Sequence, residues 1–259
     1  VFTLRWDLHP PLYYSVLDLW AILGKSDLWL QSSSSFFHAL TVGITFHFLR
    51  KHYTLLFSLS LSLLVLTSPL LLEYSFKVRM YSFVALLSTV LFFAIEAYVL
   101  NNKKHVLKWI LLLGFVISNS HAIGILFVLF HFLYGLLLCY GNDKNSIKGW
   151  VLGHLVVALF AVPAILNSMV KSVSHAQTPE VKDVFNLLTN LFVEQGTVLG
   201  ALTLLIVVVL LTIYKQRSIL ICYLILPILF FSIISYALKP LWLERNFVFA
   251  IPIILVEQL

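Results

Sequence analysis

Long apolar runs, separated by short polar stretches, dominate this chain. A helix needs about 20 mainly apolar residues to cross a bilayer. We identify a series of complete runs of this kind, some of them short, and one more that begins near residue 246. The complete runs cover residues 33–49, 54–72, 81–100, 106–120, 122–140, 149–170, 197–214 and 219–237. The pattern predicts an all-α fold, a polytopic transmembrane bundle of about eight complete spans and a truncated one.

One apolar stretch, from residue 106 to residue 140, is too long for a single bilayer crossing. The polar sequence SNSH at 118–121 interrupts it near its middle. We therefore interpret this stretch as two short spans joined by a turn at the polar break.

The composition excludes several other classes of protein. The chain has 259 residues, of which 61% are hydrophobic and 11% are charged, whereas soluble domains average about 45–50% apolar and about 25% charged residues. This excludes a soluble enzyme, a disordered chain and a secreted disulfide scaffold, and the long continuous runs argue against a membrane β-barrel. The two cysteines, Cys139 and Cys222, lie within apolar runs and lack a metal-binding spacing.

The loop charges predict which loops share a side of the membrane. The net charge is +6, but the basic residues lie in short loops, which indicates membrane topology rather than nucleic-acid binding. Every second loop belongs to a set with nine Lys or Arg and one acid, Asp143, whereas the other loops together hold eight basic and eight acidic residues. Because cytoplasmic loops carry the excess of Lys and Arg, we place the second set outside the cytoplasm. These outer segments are residues 1–32, 73–80, 118–121, 171–196 and 238–245.

Residues 1–32 are predicted to form an outer loop with a helix of its own. From Leu12 onward, aromatic and aliphatic residues recur at helical spacing, which is typical of an amphipathic helix on the membrane surface. The Pro10-Pro11 pair permits a helix to start directly after it. The serines at 32–35 are interpreted as the opening of the next span, where they satisfy its first amides.

We interpret residues 1–259 as a single transmembrane domain without internal repeats. The chain begins at Val1 rather than at Met, and it ends within an apolar run. These features predict a fragment that lacks the first span and the C-terminal part of the protein.

The first candidate functional residues are Asp7 and His9, in the string DLHPPLYY. Ionisable residues at the membrane edge are candidates for function by default. The following prolines hold the carboxylate and the imidazole in an extended stretch, which suits proton abstraction or metal binding. The alternative is a solvated loop that leads into the surface helix, and the residues themselves leave both hypotheses open.

Outer cations form the second group of candidates. Lys77 and Arg79 lie between two spans and suit a phosphate, Arg through its bidentate fork and Lys through a point charge. The alternative, favoured when this segment is taken alone, is that both reach lipid phosphates and that Lys77 pairs with Glu73. Arg245 opens the last apolar run, and its alternative is a surface feature with Glu244.

His121 lies at the outer turn, where a lone histidine is more often a hydrogen-bonded turn residue than a functional group. The other intramembrane histidines lack the H-E-x-x-H spacing of metalloproteases. Glu96 is a single acid near the inner end of a span, whereas a proton-coupled carrier is expected to have paired or repeated acids. The outer polar sites share one face of the membrane, which suits an anionic, membrane-resident substrate.

Several segments resemble the polyprenyl-phosphate-sugar-dependent branch of the GT-C glycosyltransferases, which includes protein O-mannosyltransferases and the aminoarabinose transferases of lipid A. DLHPPLYY with its surface helix resembles that branch's first outer loop, and SPLLLEYSFKVRMYS resembles its SP…YSQEVRMYS segment. SNSHAIG resembles its TH turn, with His121 on the family histidine, and AVPAIL resembles its proline-ended span. LWLERNFVFAIPIILV resembles its late RY…P segment, with Arg245 on the family arginine. Order and spacing match over nearly the whole chain.

The sequence departs from the family pattern at three points. Lys77 stands where the family usually has Glu, and Asn246 stands where Tyr is usual. The family's Asp-Glu pair normally lies upstream of DxHPP, and residues 1–6 contain no such pair. We therefore expect the pair in the missing N-terminal part and expect the fragment alone to be inactive.

The resemblance implies an inverting enzyme that transfers a sugar from a polyprenyl- or dolichyl-phosphate donor to a hydroxyl of a protein, lipid or glycan acceptor. Cations would hold the departing lipid phosphate. The residues expected in these roles are Asp7 and His9 as catalytic groups, Arg79, Lys77 and Arg245 on the donor phosphate, and Tyr13, Tyr81 and His121 on the substrate. No metal ligand is assigned, and a divalent-cation requirement stays open because members of the superfamily differ.

The expected partners are therefore the lipid-linked donor, the acceptor and membrane lipids, without nucleic acid. The expected location is a multi-pass position in the plasma, inner or endoplasmic reticulum membrane, with the active face outside the cytoplasm. One rival is a carrier or flippase for a lipid-linked or anionic substrate, which would have mid-span ionisable residues and symmetric halves with broken helices. The other rival is a degenerate, non-catalytic membrane subunit, which the departures at Lys77 and Asn246 keep open.

Overall fold

A computed structural model describes residues 10–121, 124–170, 178–190, 219, 221–237 and 243–256. Within these ranges the regular structure is helical and contains no strand, which confirms the predicted all-α class. The main helices are α1 (Leu12–Ala21), α2 (Asp27–His52), α3 (Leu55–Thr67), α4 (Pro69–Ser75), α5 (Tyr81–Val99), α6 (Leu107–Ser118), α7 (Gly124–Asn142), α8 (Ile147–Val170), α9 (Val181–Asn190), α10 (Leu226–Ala237) and α11 (Ile251–Val256).

Three described helical segments are long and apolar enough to cross a membrane, namely Tyr81–Val99, Gly124–Asn142 and Lys144–Pro163. The bent pair of α3 and α4 passes the same test when it is counted as one span. These segments support the predicted polytopic membrane bundle. The number of eight spans stays a prediction, because the run 197–214 lies outside the described residues and α6 has only 12 residues.

The apolar run 54–72 is divided into two helices by a sharp bend. Helices α3 and α4 meet at an angle of 60° around Ser68. The residue before a proline is pushed out of the α region, and Ser68, with ψ of 119°, precedes Pro69. The proline itself is well placed at the first turn of a new helix, where its missing N–H is not needed. The dipeptide therefore ends one helix and starts the next.

The described chain forms two compact units. Unit 1 comprises Val1–Leu30 and Val90–Ser172, and unit 2 comprises Gln31–Thr89 and Val173–Leu259. Each unit contains segments that are distant in the sequence, so tertiary packing brings together parts of the chain that local sequence patterns do not connect.

The core of unit 1 is built where α6, α7 and α8 pack on one another. Trp150 is fully buried there, and its indole Nε1 donates a hydrogen bond to the carbonyl of Phe132 at 3.1 Å. The ring of Tyr98 stacks on Trp150 at 5.8 Å between centroids. Gly135 of α7 is required at this place, because a Cβ there would collide with the indole ring. A large aromatic residue on α8 is thus matched by the smallest residue on α7.

Loops from other parts of unit 1 contact the chain near both ends of α6. At its N-terminal end, Lys104 forms an ion pair with Asp143 and donates a hydrogen bond to Ser146 Oγ at 2.6 Å. At its C-terminal end, the N–H of Leu12 donates to the carbonyl of Asn119 at 3.2 Å. Loops that the charge pattern assigns to one side of the membrane therefore lie at a common end of this unit. Which end faces the cytoplasm stays a prediction.

In unit 2, serines of α2 bind the turn between α4 and α5. The hydroxyl of Ser34 donates to the carbonyl of Lys77 at 2.6 Å, and that of Ser35 donates to the carbonyl of Ser75 at 2.8 Å. The prediction that the serines open a span and satisfy its first amides is wrong, because α2 already begins at Asp27. Inside a helix the local amides are bonded to the preceding turn, so these hydroxyls serve a neighbouring segment instead.

Candidate functional site: the cation–tyrosine cluster

Two tyrosines flank the turn between α4 and α5. The rings of Tyr74 and Tyr81 lie 4.5 Å apart between centroids, with their planes at 52°, and both side chains are buried. The hydroxyl of Ser82 donates to the carbonyl of Tyr74 at 3.1 Å. Together with the bonds from Ser34 and Ser35, this contact fixes the turn as a defined feature of unit 2.

Arg245 reaches this tyrosine pair from a short helical turn, Glu244–Phe247, late in the sequence. Its guanidinium carbon lies 5.8 Å from the centroid of the Tyr81 ring, within the range of a cation–π contact. The positive charge of Arg245 also acts on the hydroxyl of Tyr74. Its Nε is buried and has no hydrogen-bond partner among the described residues.

Lys77 and Arg79 occupy the turn itself. The ammonium of Lys77 pairs with Glu73 one helical turn earlier, and both side chains are about half exposed. The same ammonium lies 5.0 Å from the centroid of the Tyr74 ring. Arg79 is exposed, its charge acts on the Tyr81 hydroxyl, and its backbone N–H donates to the carbonyl of Lys77 at 2.7 Å. The cation–tyrosine cluster is hereafter the set Tyr74, Lys77, Arg79, Tyr81 and Arg245.

The charge of this cluster is only partly balanced. Glu73 compensates Lys77, but no carboxylate among the described residues forms an ion pair with Arg79 or Arg245. A guanidinium held against aromatic rings retains N–H donors at its edge, and these match the oxygens of a phosphate or carboxylate. The cluster therefore has the geometry and the charge of an anion-binding site.

The structure brings together four of the predicted site residues, Lys77, Arg79, Tyr81 and Arg245, in unit 2. The sequence prediction omitted Tyr74, whose ring lies 5.0 Å from the ammonium of Lys77 and on whose hydroxyl the charge of Arg245 acts. Two tyrosines flanking a basic turn were the available signal, but only the fold reveals that Arg245 meets them.

Two other predicted residues, Tyr13 and His121, belong to unit 1. Tyr13 is buried and packs edge-on against Tyr14, with ring centroids 5.6 Å apart. His121 is buried, and its ring lies 5.4 Å from that of Phe127. The bond from Leu12 to the carbonyl of Asn119 connects the start of α1 to the turn that carries His121. Their role in substrate binding stays a prediction. Asp7 and His9 lie outside the described residues.

The acid Glu96, which lies in a predicted span, is engaged by a neighbouring side chain within the fold. Its side chain is buried in unit 1, and the hydroxyl of Tyr134 donates to its Oε1 at 3.3 Å. The ring of Tyr134 in turn stacks on Phe92, at 5.3 Å between centroids. This agrees with a single hydrogen-bonded carboxylate rather than with the paired acids of a proton-coupled carrier.

Within the described ranges, no group of three or more His, Cys, Asp or Glu side chains is arranged to hold a metal ion. Comparisons with family models, with curated proteins and with solved structures find no match for this chain.

Proposed function

We propose that this protein is a membrane glycosyltransferase of the GT-C type, which transfers a sugar from a polyprenyl-phosphate donor to an acceptor hydroxyl outside the cytoplasm. The observation that carries the proposal is the approach of Arg245 to the Tyr74–Tyr81 pair, beside the turn that holds Arg79. The motif resemblance supplies the reaction, and the cluster supplies the residues that would act on the donor phosphate.

The chemistry requires cations at the leaving group. In an inverting transfer, the acceptor oxygen attacks the anomeric carbon while the bond from that carbon to the phosphate oxygen breaks. The acceptor proton passes to a base, and negative charge develops on the departing lipid phosphate. Preorganised cations at that position lower the barrier, because they stabilise the charge that forms in the transition state.

The tyrosines give the cluster this preorganisation. The guanidinium of Arg245 lies 5.8 Å from the centroid of the Tyr81 ring, and its charge also acts on the hydroxyl of Tyr74. In a water-poor site an oriented guanidinium interacts more strongly with phosphate than it would in bulk water. We therefore assign both arginines to the donor phosphate. Arg245 is the fixed contact, and Arg79 is an exposed contact at the edge of the site.

We assign Lys77 a smaller part than the two arginines. Its ammonium already has Glu73 as a partner, and both groups are about half exposed. An exposed ion pair between residues i and i+4 contributes only about 0.3–0.5 kcal/mol to stability. A phosphate can therefore compete with Glu73 for the ammonium of Lys77. Replacing Lys77 with Gln should therefore lower transfer less than replacing either arginine.

The proposal is tested by a transfer assay on the intact protein in membranes. Radiolabelled polyprenyl-phosphate sugars are supplied one at a time, with and without EDTA, and release of label onto endogenous acceptors is measured. Transfer from one donor establishes the enzyme class, identifies the sugar and decides the cation requirement. No transfer from any donor, with the protein inserted and folded, contradicts the proposal and favours a non-catalytic subunit or a carrier.

The carrier hypothesis receives less support from the described helices. The three membrane-capable segments contain one acid, Glu96, and it is bonded to Tyr134. A carrier for an anionic substrate is expected to place ionisable groups at the bilayer midplane, in broken helices that recur in two halves. The bend between α3 and α4 is a broken helix of this kind, but the cations of the cation–tyrosine cluster come after α4 rather than at the bend.

A further inference from the structure

One end of unit 1 carries two loops that are joined by a polar clasp, formed by Lys104, Asp143 and Ser146. Lys104 pairs with Asp143 and donates to Ser146, and the hydroxyl of Ser146 donates to Asp143 Oδ2 at 2.6 Å. The ammonium of Lys104 also lies 4.7 Å from the centroid of the Tyr98 ring. The clasp therefore fixes the loop before α6 against the loop before α8.

Four further lysines lie close to the clasp residues along the chain, and all of them are exposed. They are Lys103, Lys108, Lys144 and Lys148, hereafter the basic rim. Asp143 is the acid in these loops, and the clasp already engages it. The basic rim therefore presents four positive charges that no carboxylate of these loops balances.

The basic rim places positive charges at helix N-termini, where helices ordinarily favour negative charges. Lys108 lies in the first turn of α6 and Lys148 in the first turn of α8. Cations are unfavourable near a helix N-terminus, because the unpaired N–H groups there carry partial positive charge. Two helix starts and four lysines at one end thus concentrate positive potential, which an external anion would relieve.

Exposed aromatic residues place this end at the depth of lipid headgroups. Trp109 is 53% exposed and Tyr140 is 66% exposed. The ammonium of Lys108 lies 5.5 Å from the Trp109 ring, and that of Lys144 lies 5.0 Å from the Tyr140 ring. Exposed Trp and Tyr collect at membrane–water interfaces, with their rings at headgroup level. We therefore expect the lysines beside these rings to lie at the level of lipid phosphates.

A polar concavity of about 610 Å³ opens between the two loops. The three clasp residues Lys104, Asp143 and Ser146 lie in its wall, together with the amides of Asn102, Asn142 and Asn145. Asn102 has φ of 53°, a left-handed conformation that asparagine tolerates, so the loop turns sharply here. Side-chain amides are donors and acceptors without charge, and they suit hydroxyl groups. The concavity thus complements a hydroxylated group, and the rim complements its phosphate.

We propose that this end of unit 1 binds the headgroup of an anionic, hydroxyl-bearing glycerophospholipid from the leaflet it faces. The loop charges predict that this leaflet is cytoplasmic. The phosphodiester lies among the lysines of the basic rim, and the headgroup hydroxyls enter the concavity. Basic pockets and juxtamembrane lysine clusters at this side of membrane proteins attract anionic lipid in general. The proposal is independent of glycosyl transfer.

The test uses the intact protein purified in mild detergent, with thermal unfolding followed as lipid is added. Dioleoyl-phosphatidylglycerol should raise the melting temperature, and the rise should diminish with added salt because exposed charges are screened. Dioleoyl-phosphatidylcholine should produce a much smaller rise. Equal rises for the two lipids would overturn the proposal.

The matched variants are two double substitutions. Lys103→Gln with Lys148→Gln removes two rim charges that take no part in the clasp, and about a fivefold loss of apparent affinity for each lysine is expected. Lys25→Gln with Lys182→Gln removes the same charge at exposed positions elsewhere and should respond like the wild type. If the rim variant keeps the wild-type response to phosphatidylglycerol, the proposal is wrong.

Phosphatidylserine tests the part assigned to the concavity. It has the same net charge as phosphatidylglycerol but lacks the hydroxylated glycerol headgroup. We expect phosphatidylglycerol to give the larger rise at equal concentration. An equal rise would overturn the assignment of the headgroup hydroxyls to Asn102, Asn142 and Asn145.

Discussion

The clasp of unit 1 and the cation–tyrosine cluster of unit 2 both place a cation beside a tyrosine ring, but they differ in how the charge of that cation is balanced. In the clasp, Lys104 faces a ring, Tyr98, and its charge is balanced by Asp143. In the cluster, Arg245 faces a ring, Tyr81, but no carboxylate of the described residues pairs with it. The first arrangement has its anion within the fold, whereas the second has no such anion among the described residues, and we propose that a ligand supplies it.

This difference separates a structural cation from a candidate binding cation. A charge that is held away from bulk water needs a partner, because desolvation without compensation is unfavourable. A fold that needed Arg245 only for stability would be expected to supply an acid beside it, as it does for Lys104. The cluster is therefore the place where loss of a cation should affect binding more than folding, and the clasp is the place where the reverse should hold.

The largest expected effect is on transfer by the arginine variants. Arg79→Ala or Arg245→Gln in the intact protein should lower turnover by roughly 10²- to 10³-fold, because each removes a donor to the charge on the leaving phosphate. Lys104→Gln should leave turnover near the wild-type level. The assay is transfer from the active donor, normalised to inserted protein. Normal turnover of Arg79→Ala would remove this residue from the site, and a matching loss of folded protein would favour lipid contact instead.

The next effect concerns the packing of unit 1. Gly135→Ala should destabilise the protein by about 1–3 kcal/mol, because a new methyl group would collide with the buried indole of Trp150. Gly141→Ala lies on the same helix with nothing within 4 Å of the added Cβ and serves as the control. Thermal or denaturant unfolding in detergent measures the difference. Equal stability of the two variants would contradict this packing.

A smaller effect should follow the loss of one hydroxyl in the cluster. Tyr74→Phe keeps the ring beside Tyr81 but removes the hydroxyl on which the charge of Arg245 acts. If the interaction of this hydroxyl with the guanidinium orients Arg245 for catalysis, transfer should fall about tenfold, because a polar interaction with a charged group contributes about 1.5 kcal/mol or more. Turnover equal to the wild type, at equal melting temperature, would show that this orientation is unimportant.

The smallest expected effect is a pH dependence of the clasp. Hydrogen bonds from Lys104 and from Ser146 lower the pKa of Asp143. A carboxyl whose pKa is depressed in the folded state stabilises the fold above its unfolded pKa and loses that contribution as the pH falls through the folded value. The melting temperature of Asp143→Asn should therefore approach that of the wild type below about pH 4 and lie slightly under it at neutral pH. A difference that is constant with pH would contradict the clasp.

The helical class and the position of the turn at 118–121 could be predicted from the sequence, because hydrophobic length and polar breaks are local properties. Other features depended on contacts between distant segments. The serines of α2 were misinterpreted because hydroxyls at a helix start and hydroxyls that bind a neighbouring turn have the same local sequence. Similarly, the approach of Arg245 to Tyr74 and Tyr81 depends on the packing of unit 2. Resemblance to a family suggested these residues as a group, but only the fold reveals which ring each cation meets.

The measurement that tests the central claim most directly is binding of polyprenyl monophosphate, the leaving group itself, to the intact protein. Wild type and Arg245→Gln are compared in detergent, with melting temperature as the control for folding. The account predicts saturable binding to the wild type and binding at least about tenfold weaker to the variant, with melting temperatures that agree. Equal binding by the two proteins would contradict the assignment of the cation–tyrosine cluster to the donor phosphate.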